Sequence, residues 1–228
     1  MLIGDEHITS GDAWVRGLNM SNEMHKLYKY TGYCPQFDAL LEDLTGRETM
    51  VMFLLIRGFL LRDVYFLSEY WAYKLNFFEH LDKRVSKLSL GNKRKLSVAL
   101  AFIGDPSVIF LDEPSSGMDP SSKRKVWNVI IDSRNAGKSV MLSTHSMDEC
   151  EALCTRLTVM ISGQFHCLGS IQQLKDKFSK GFILVIKVLQ NDNKAIEKTW
   201  TEQIKTFVSS SFVNSYCSKL KLFHFPRI

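Results

Sequence analysis

No apolar run in this chain reaches the roughly 18–20 residues that a membrane-spanning helix needs. The nearest approach, Met50 to Leu67, is interrupted by Arg57, Arg62 and Asp63. The amino terminus lacks the basic-then-apolar layout of a secretory signal. Cysteine is scarce: five residues at irregular spacing, which argues against a disulfide framework and for a reducing compartment. Cys150 and Cys154 lie one helical turn apart with His145 near them, yet no second pair has zinc-ligand spacing, so a zinc site is disfavoured. The surplus of positive charge is small, +5. Its two clusters, Lys93-Arg94-Lys95 and Lys123-Arg124-Lys125, read as solvated helix faces. Nucleic-acid binding would want a basic stripe with a recognisable reading module. A phosphate-binding loop, G-x-x-x-x-G-K-[ST], is also absent. The sole Gly-Lys-Ser, Gly137-Lys138-Ser139, has Asp132 where the first glycine belongs and enters a strand instead of opening a helix.

What is present describes a globular protein: 45% of 228 residues are apolar and 23% charged, enough chain to bury a core. Turn signals and short strand patterns occupy the first 38 residues, including Ala13 to Arg16 and Tyr30 to Cys34. From about Leu40 to Ile103 the pattern is helical, with Thr45 as N-cap and Glu48 three residues on. Val108-Ile109-Phe110-Leu111 is a continuous apolar run, the mark of a strand buried on both faces of a parallel sheet. A helix over Ser122 to Asn135 follows, then a second buried strand at Ser139 to Leu142. Another helix begins near Met147, and Leu157 to Ile161 supplies a third strand. This alternation implies an α/β fold with a parallel sheet. Ile171 to Phe178 reads as a short helix and Phe182 to Leu189 as a strand. The last forty residues are weakly patterned.

Chemistry concentrates at strand ends. The run 108–111 ends in Asp112-Glu113-Pro114, and ligands of parallel sheets collect at the carboxyl ends of strands. Two adjacent acids there cost desolvation unless a cation or a reaction needs them. One acid on Mg²⁺ and another as general base suits phosphoryl transfer; two surface acids ending a strand is the equally weighted plain reading. Ser116-Gly117-Met118-Asp119-Pro120 adds a carboxylate in a tight turn. The next strand ends in Ser143-Thr144-His145, placing a histidine where it can donate to a phosphate or to water. Upstream, Ser89-Leu90-Gly91-Asn92 opens a helix, with Ser89 as N-cap and backbone donors suited to phosphate. Gln36, behind Pro35 at a strand end, is a polar side chain able to reach a metal.

The order Gln36, Ser89-Leu90-Gly91-Asn92, Asp112-Glu113, Asp119, His145 resembles the ATP-binding cassette of ABC transporters: glutamine loop, signature loop, Walker B strand, aspartate loop and switch histidine. Gly32 to Asp38, Gly91 to Ser97, Ser116 to Pro120 and Gly163 to Ser170 are similar to subfamily A, the lipid exporters. Ser146 to Cys154 most resembles their second, C-terminal cassette. The resemblance covers residues 1 to about 190. It implies a partial RecA-like parallel sheet core with an inserted helical subdomain and a small C-terminal α+β appendage. The implied divisions are 1–38, the core strands up to the glutamine loop; 39–103, the helical subdomain with the signature loop; 104–170, the Walker B to switch-histidine core; and 171–228, part of a regulatory region.

By that resemblance the cofactors are ATP and Mg²⁺. Asp112 would hold the metal, Glu113 would polarise the attacking water, His145 would contact the γ-phosphate, and Gln36 would join the metal to transmembrane coupling. Ser89, Gly91 and Asn92 would face ATP held by a second cassette, and Asp119 would cross the interface. The partners implied are that cassette and the transmembrane domains, with the aromatic-rich helices around Met50 to Phe78 docking on the latter, at the cytoplasmic face of a membrane. Two departures stand out. The family's P-loop lies just upstream of the stretch resembling Met1 to Gly11, so the chain is expected to begin just after it, leaving a sheet edge unpaired. Leu90 replaces a signature glycine whose bareness lets backbone approach phosphate. The expectation is a cassette fragment inactive alone. The alternatives are a non-catalytic product that binds a full transporter, cytosolic as a short chain, or an inert pseudogene product.

Overall fold

The computed structural model describes residues 3–4, 8–178, 182–189 and 217–225. Two units are distinguished, 1–155 and 156–228. In the first, β1 (Trp14–Val15) and β2 (Leu18–Asn19) form a minimal hairpin. Its turn residues Arg16 and Gly17 both have positive φ, 53° and 80°, the backbone that matches the twist of a two-residue hairpin. After α1 (Met24–Leu27) comes β3 (Thr31–Cys34). The helical stretch resolves into α2 (Gly46–Ile56), α3 (Leu61–Lys74) and α4 (Leu90–Phe102). Then β4 (Val108–Asp112), α5 (Pro120–Asn135), β5 (Ser139–Ser143) and α6 (Met147–Leu153) alternate.

Strands β3, β4 and β5 form a parallel sheet in that order. One face, carrying Ile109 and Leu111, belongs to the main core with α4. Helix α4 is buried from Arg94 to Phe102, which suits its lack of a polar face over Leu96 to Ile103. It crosses β3 so closely that a Cβ on Gly32 would meet the Ala101 carbonyl oxygen at 1.8 Å. On the other side, α2 and α3 contribute Met50, Leu54, Val64 and Ala72 to the same core, and Trp71 lies 5.8 Å from Phe102 between ring centroids.

Local chemistry sets the helix ends. Thr45 accepts from the Glu48 backbone N–H while the Glu48 carboxylate accepts from Thr45, a complete capping box. Arg47 grips both oxygens of Asp82 and also Glu69, joining α2 to α3 and the loop beyond. Arg57 donates to the carbonyls of Tyr28 and Thr31, tying the end of α2 to β3.

Two sequence expectations are corrected. Strand β5 is not buried on both faces: Val140 and Leu142 pack on the core, but Met141 is 53% exposed. An apolar run reports residue types, not how many neighbours a strand has, and β5 lies at the outer position of its sheet. In the second unit, β6 (Leu157–Ile161) is not a third parallel strand; it pairs antiparallel with β7 (Gln164–Gly169). Ser162 and Gly163 both have positive φ, making a two-residue turn that only antiparallel strands can use. Helix α7 (Ile171–Phe178) and the parallel pair β8 (Phe182–Leu189) and β9 (Cys217–Phe225) follow in this unit; the rest of the weakly patterned tail, 190–216 and 226–228, lies outside the described residues. Among the described residues no helix is long and apolar enough to cross a membrane.

Gly32 is the position where the sheet–helix approach is least forgiving. We predict that Gly32→Ala destabilises the first unit by about 3 kcal/mol, the upper end for overpacking, because the obstacle is backbone; urea unfolding measures it. A change below ~0.5 kcal/mol would mean that α4 does not sit so close.

Candidate functional site

Parallel pairing with Cys34 opposite Leu111 and Asp112 opposite Ser143 aligns the carboxyl ends of β3, β4 and β5. Gln36, Asp112-Glu113 and Thr144-His145 therefore leave the sheet at one rim. The Glu113 backbone N–H donates to the Ser143 carbonyl at 3.0 Å, and its φ is +49°. A left-handed glutamate is uncommon and costs about 1 kcal/mol or more. Its Oε1 takes two hydrogen bonds from one residue: the backbone N–H of His145 at 2.9 Å and the ring Nδ1 at 2.7 Å. The Glu113 side chain is 16% exposed and that of His145 82%, so the carboxylate is sheltered while the imidazole reaches solvent. The Asp112 carboxylate instead accepts from the Ser143 hydroxyl. Each acid thus has its own donor, which offsets part of the desolvation of two neighbouring charges.

Beneath this rim sits Arg94, and here the reading of Lys93-Arg94-Lys95 as a solvated face fails. Arg94 is 3% and Lys95 6% exposed. The Arg94 Nη1 donates to the Pro35 carbonyl and to Asp38 at 2.9 Å. Its Nη2 donates to the carbonyls of Asp112 and Glu113. One guanidinium therefore joins the loop bearing Gln36, the helix opened by Ser89 and the acidic end of β4. Lys95 donates to the Asn76 carbonyl just past α3; burial pulls its ammonium below the usual lysine range, with Asp119 opposing. The signal for both was the character of 96–103, apolar but for Ser97: a helix without a polar face draws its flanking cations inward.

The other candidates form a second, more open group. Ser89 caps α4 by accepting from the Asn92 N–H at 3.3 Å. Leu90 is 78% exposed, and a Cβ at Gly91 would meet nothing within 4 Å, so among the described residues no neighbour requires a glycine there. Asp119 caps α5; the Ser122 hydroxyl, then its N–H, hold this carboxyl below the usual range. Gln36 is exposed beside Pro35. Sequence reasoning passed over buried Glu149, whose partners Ser115 and Thr144 follow the ends of β4 and β5.

Among the described residues no group of three or more His, Cys, Asp or Glu is arranged to hold a metal, and burial pushes the Cys150 and Cys154 thiols up, away from the thiolate a zinc site needs. Mg²⁺ asks for less: one or two carboxylates with substrate phosphates complete its shell. Asp112, a hard oxygen ligand oriented by Ser143, fits that need. A cleft of about 770 Å³ opens elsewhere, over β4 and β5 and lined by Trp14, Arg16, Asp105, Phe110, Lys138 and Met141. Its Lys138 is paired with Asp105 and belongs to the Gly-Lys-Ser triplet, which here leads into β5 at its amino end.

Replacing Arg94 by Met should cost about 3–5 kcal/mol, the range for breaking a buried charge pair, and Arg94→Lys should recover little, since an ammonium cannot span four acceptors as a planar fork does. Denaturant unfolding of both variants checks this; a full recovery by lysine would contradict it.

Residues 1–116 match the family described as ABC transporter. The chain is 47% identical over 215 residues to the rat protein named phospholipid-transporting ATPase ABCA3, covering 94% of this chain and 12% of that protein. The human ATP-binding cassette sub-family A member 2 is 46% identical over 187 residues, 82% of this chain and 8% of that one. The chain thus spans 8–12% of these curated relatives. A solved structure described as the ATP binding subunit of an ABC transporter aligns with a TM-score of 0.71 at 20% identity, over 78% of this chain and 74% of that chain. A dimeric post-hydrolysis structure of the ATP-binding cassette MJ0796 with ADP and Pi gives 0.66 at 17% identity, over 72% and 74%.

Proposed function

The chain belongs to the ABC transporter family, among relatives of subfamily A, and we propose that it forms part of a nucleotide-binding domain whose ATP hydrolysis drives lipid transport. The observation that carries this reading is the hydrogen-bonded Glu113–His145 pair beside Asp112 at the carboxyl rim of a parallel sheet. The relatives' name supports a phospholipid as cargo. The rim faces the cytoplasm in this reading, and the exposed Ile56, Leu61, Tyr65 and Phe66 form the surface that docks on a transmembrane domain.

The chemistry follows from where each group sits. Mg²⁺, when bound with ATP, neutralises charge on the phosphate oxygens; Asp112, joined by Gln36, would hold it. Glu113 keeps Oε1 on His145, so Oε2 is the oxygen that takes the proton of an attacking water. His145 shares its Nδ1 with Glu113 and turns its Nε2 toward the γ-phosphate. The sheltered carboxylate and the exposed imidazole support this division of roles. Ser89, Gly91 and Asn92 face ATP held by an opposing cassette, consistent with the open space at Gly91 among the described residues, and Asp119 lies toward that interface. Leu90 narrows the approach.

These 228 residues contain no phosphate-binding loop, the main grip on ATP. Purified alone, they should turn over MgATP no faster than their Glu113→Gln variant; steady turnover above that control would refute the expectation that the chain is inactive by itself. Where a P-loop is supplied in the same cassette, Glu113→Gln should lower kcat about 10²–10⁴-fold, the general-base range. The exposed Leu90 at the signature position favours a second reading, a non-catalytic partner that docks on a P-loop-bearing cassette and alters its rate. Mixing the two tests it: unchanged ATP affinity and unchanged hydrolysis would end that reading.

A further inference from the structure

Glu149, in the first turn of α6, is 2% exposed, and neither the metal-binding nor the proton-transfer roles above use it. A carboxylate so placed is costly unless donors satisfy it, and three do. Oε1 accepts from the Ser115 hydroxyl and from Trp127 Nε1 at 3.3 Å; Oε2 accepts from the Thr144 hydroxyl at 2.6 Å. Ser115 is two residues past Glu113, and Thr144 immediately precedes His145. Trp127 belongs to α5, behind the loop that carries Asp119. The Thr144 hydroxyl in turn accepts from the Ser146 N–H at 3.1 Å, fixing the turn from which His145 projects.

We propose that Glu149 is a positioning residue that clamps the loop after β4 to the loop after β5 and so holds Glu113 and His145 in register. The inference rests on the reading of that pair as the reaction centre. The Glu113 backbone is held by Ser143 and Arg94, but these bonds do not reach the His145 side: its ring is mostly in solvent, and Glu113 sits in a left-handed conformation that must be held. Glu149 bonds directly to neither residue. Its carboxylate instead fixes the hydroxyls flanking each, so the 2.7 Å contact depends on a link made one and two residues away.

The test uses the 228-residue chain without nucleotide, so its outcome is separate from whether the chain hydrolyses ATP. In Glu149→Ala, the His145 amide, protected by its bond to Glu113, should exchange with deuterium about tenfold faster or more. The ¹⁵N shifts of the His145 ring should move to those of a Glu113→Gln control, while amides in α4 and β4 keep their protection. Glu149→Gln, which retains acceptor and shape, should restore much of both signals. Should Glu149→Ala fail to fold, Thr144→Val removes one arm of the clamp and should release the His145 ring in the same way. A folded Glu149→Ala or Thr144→Val with unaltered His145 ring shifts and amide protection would overturn the proposal. So would loss of α4 and β4 protection alongside the His145 signal, the mark of a general packing role.

Discussion

The guanidinium of Arg94 is the constraint on which the rest of this structure turns. Four acceptors from two segments meet on it: Pro35 and Asp38 after β3, and the Asp112 and Glu113 carbonyls at the end of β4. A buried cation needs partners, and here those partners are mostly backbone carbonyls at the places where chemistry-bearing side chains leave the sheet. Because Arg94 sits one turn inside α4, the helix opened by Ser89 cannot shift without disturbing the loop of Gln36 and the acidic end of β4. The same device that closes the core links three groups named in the functional reading.

Above that clasp the rim is built from strain and polarity in balance. Glu113 holds a left-handed backbone, its N–H bonded to Ser143 across the sheet. Its carboxylate then finds both donors on His145. Glu149 serves the loops on either side, and Asp112 takes the Ser143 hydroxyl. By contrast, Ser89 and Asp119 cap the first turns of their own helices and are exposed.

Much of this was legible in the residues. The capping box at Thr45, the apolar run at 108–111 and the acids that end it point to their structures because helix caps and parallel strands impose local residue choices. So does the failure of Gly137-Lys138-Ser139 as a phosphate loop, since its glycine ends α5 and its serine starts β5. Legibility ended where burial depended on distant neighbours. Arg94 and Lys95 look like surface cations until the helix they flank proves apolar on every side. Strand β5 looks doubly buried until its outer position in the sheet is known. Glu149 carried no local signal because its partners come from 5 to 34 residues away.

The central claim is that nucleotide and metal meet at the rim of Asp112, Glu113 and His145, and not in the cleft around Lys138. Paramagnetic broadening by Mn²⁺ with excess ATP reads this directly, because weak binding suffices. Broadening of the backbone amides of Gln36, Asp112, Glu113 and His145, with those of Arg16, Asp105 and Lys138 left sharp, is the expected result. Broadening centred on Asp105 and Lys138, or none at the rim at saturating MnATP, would contradict it.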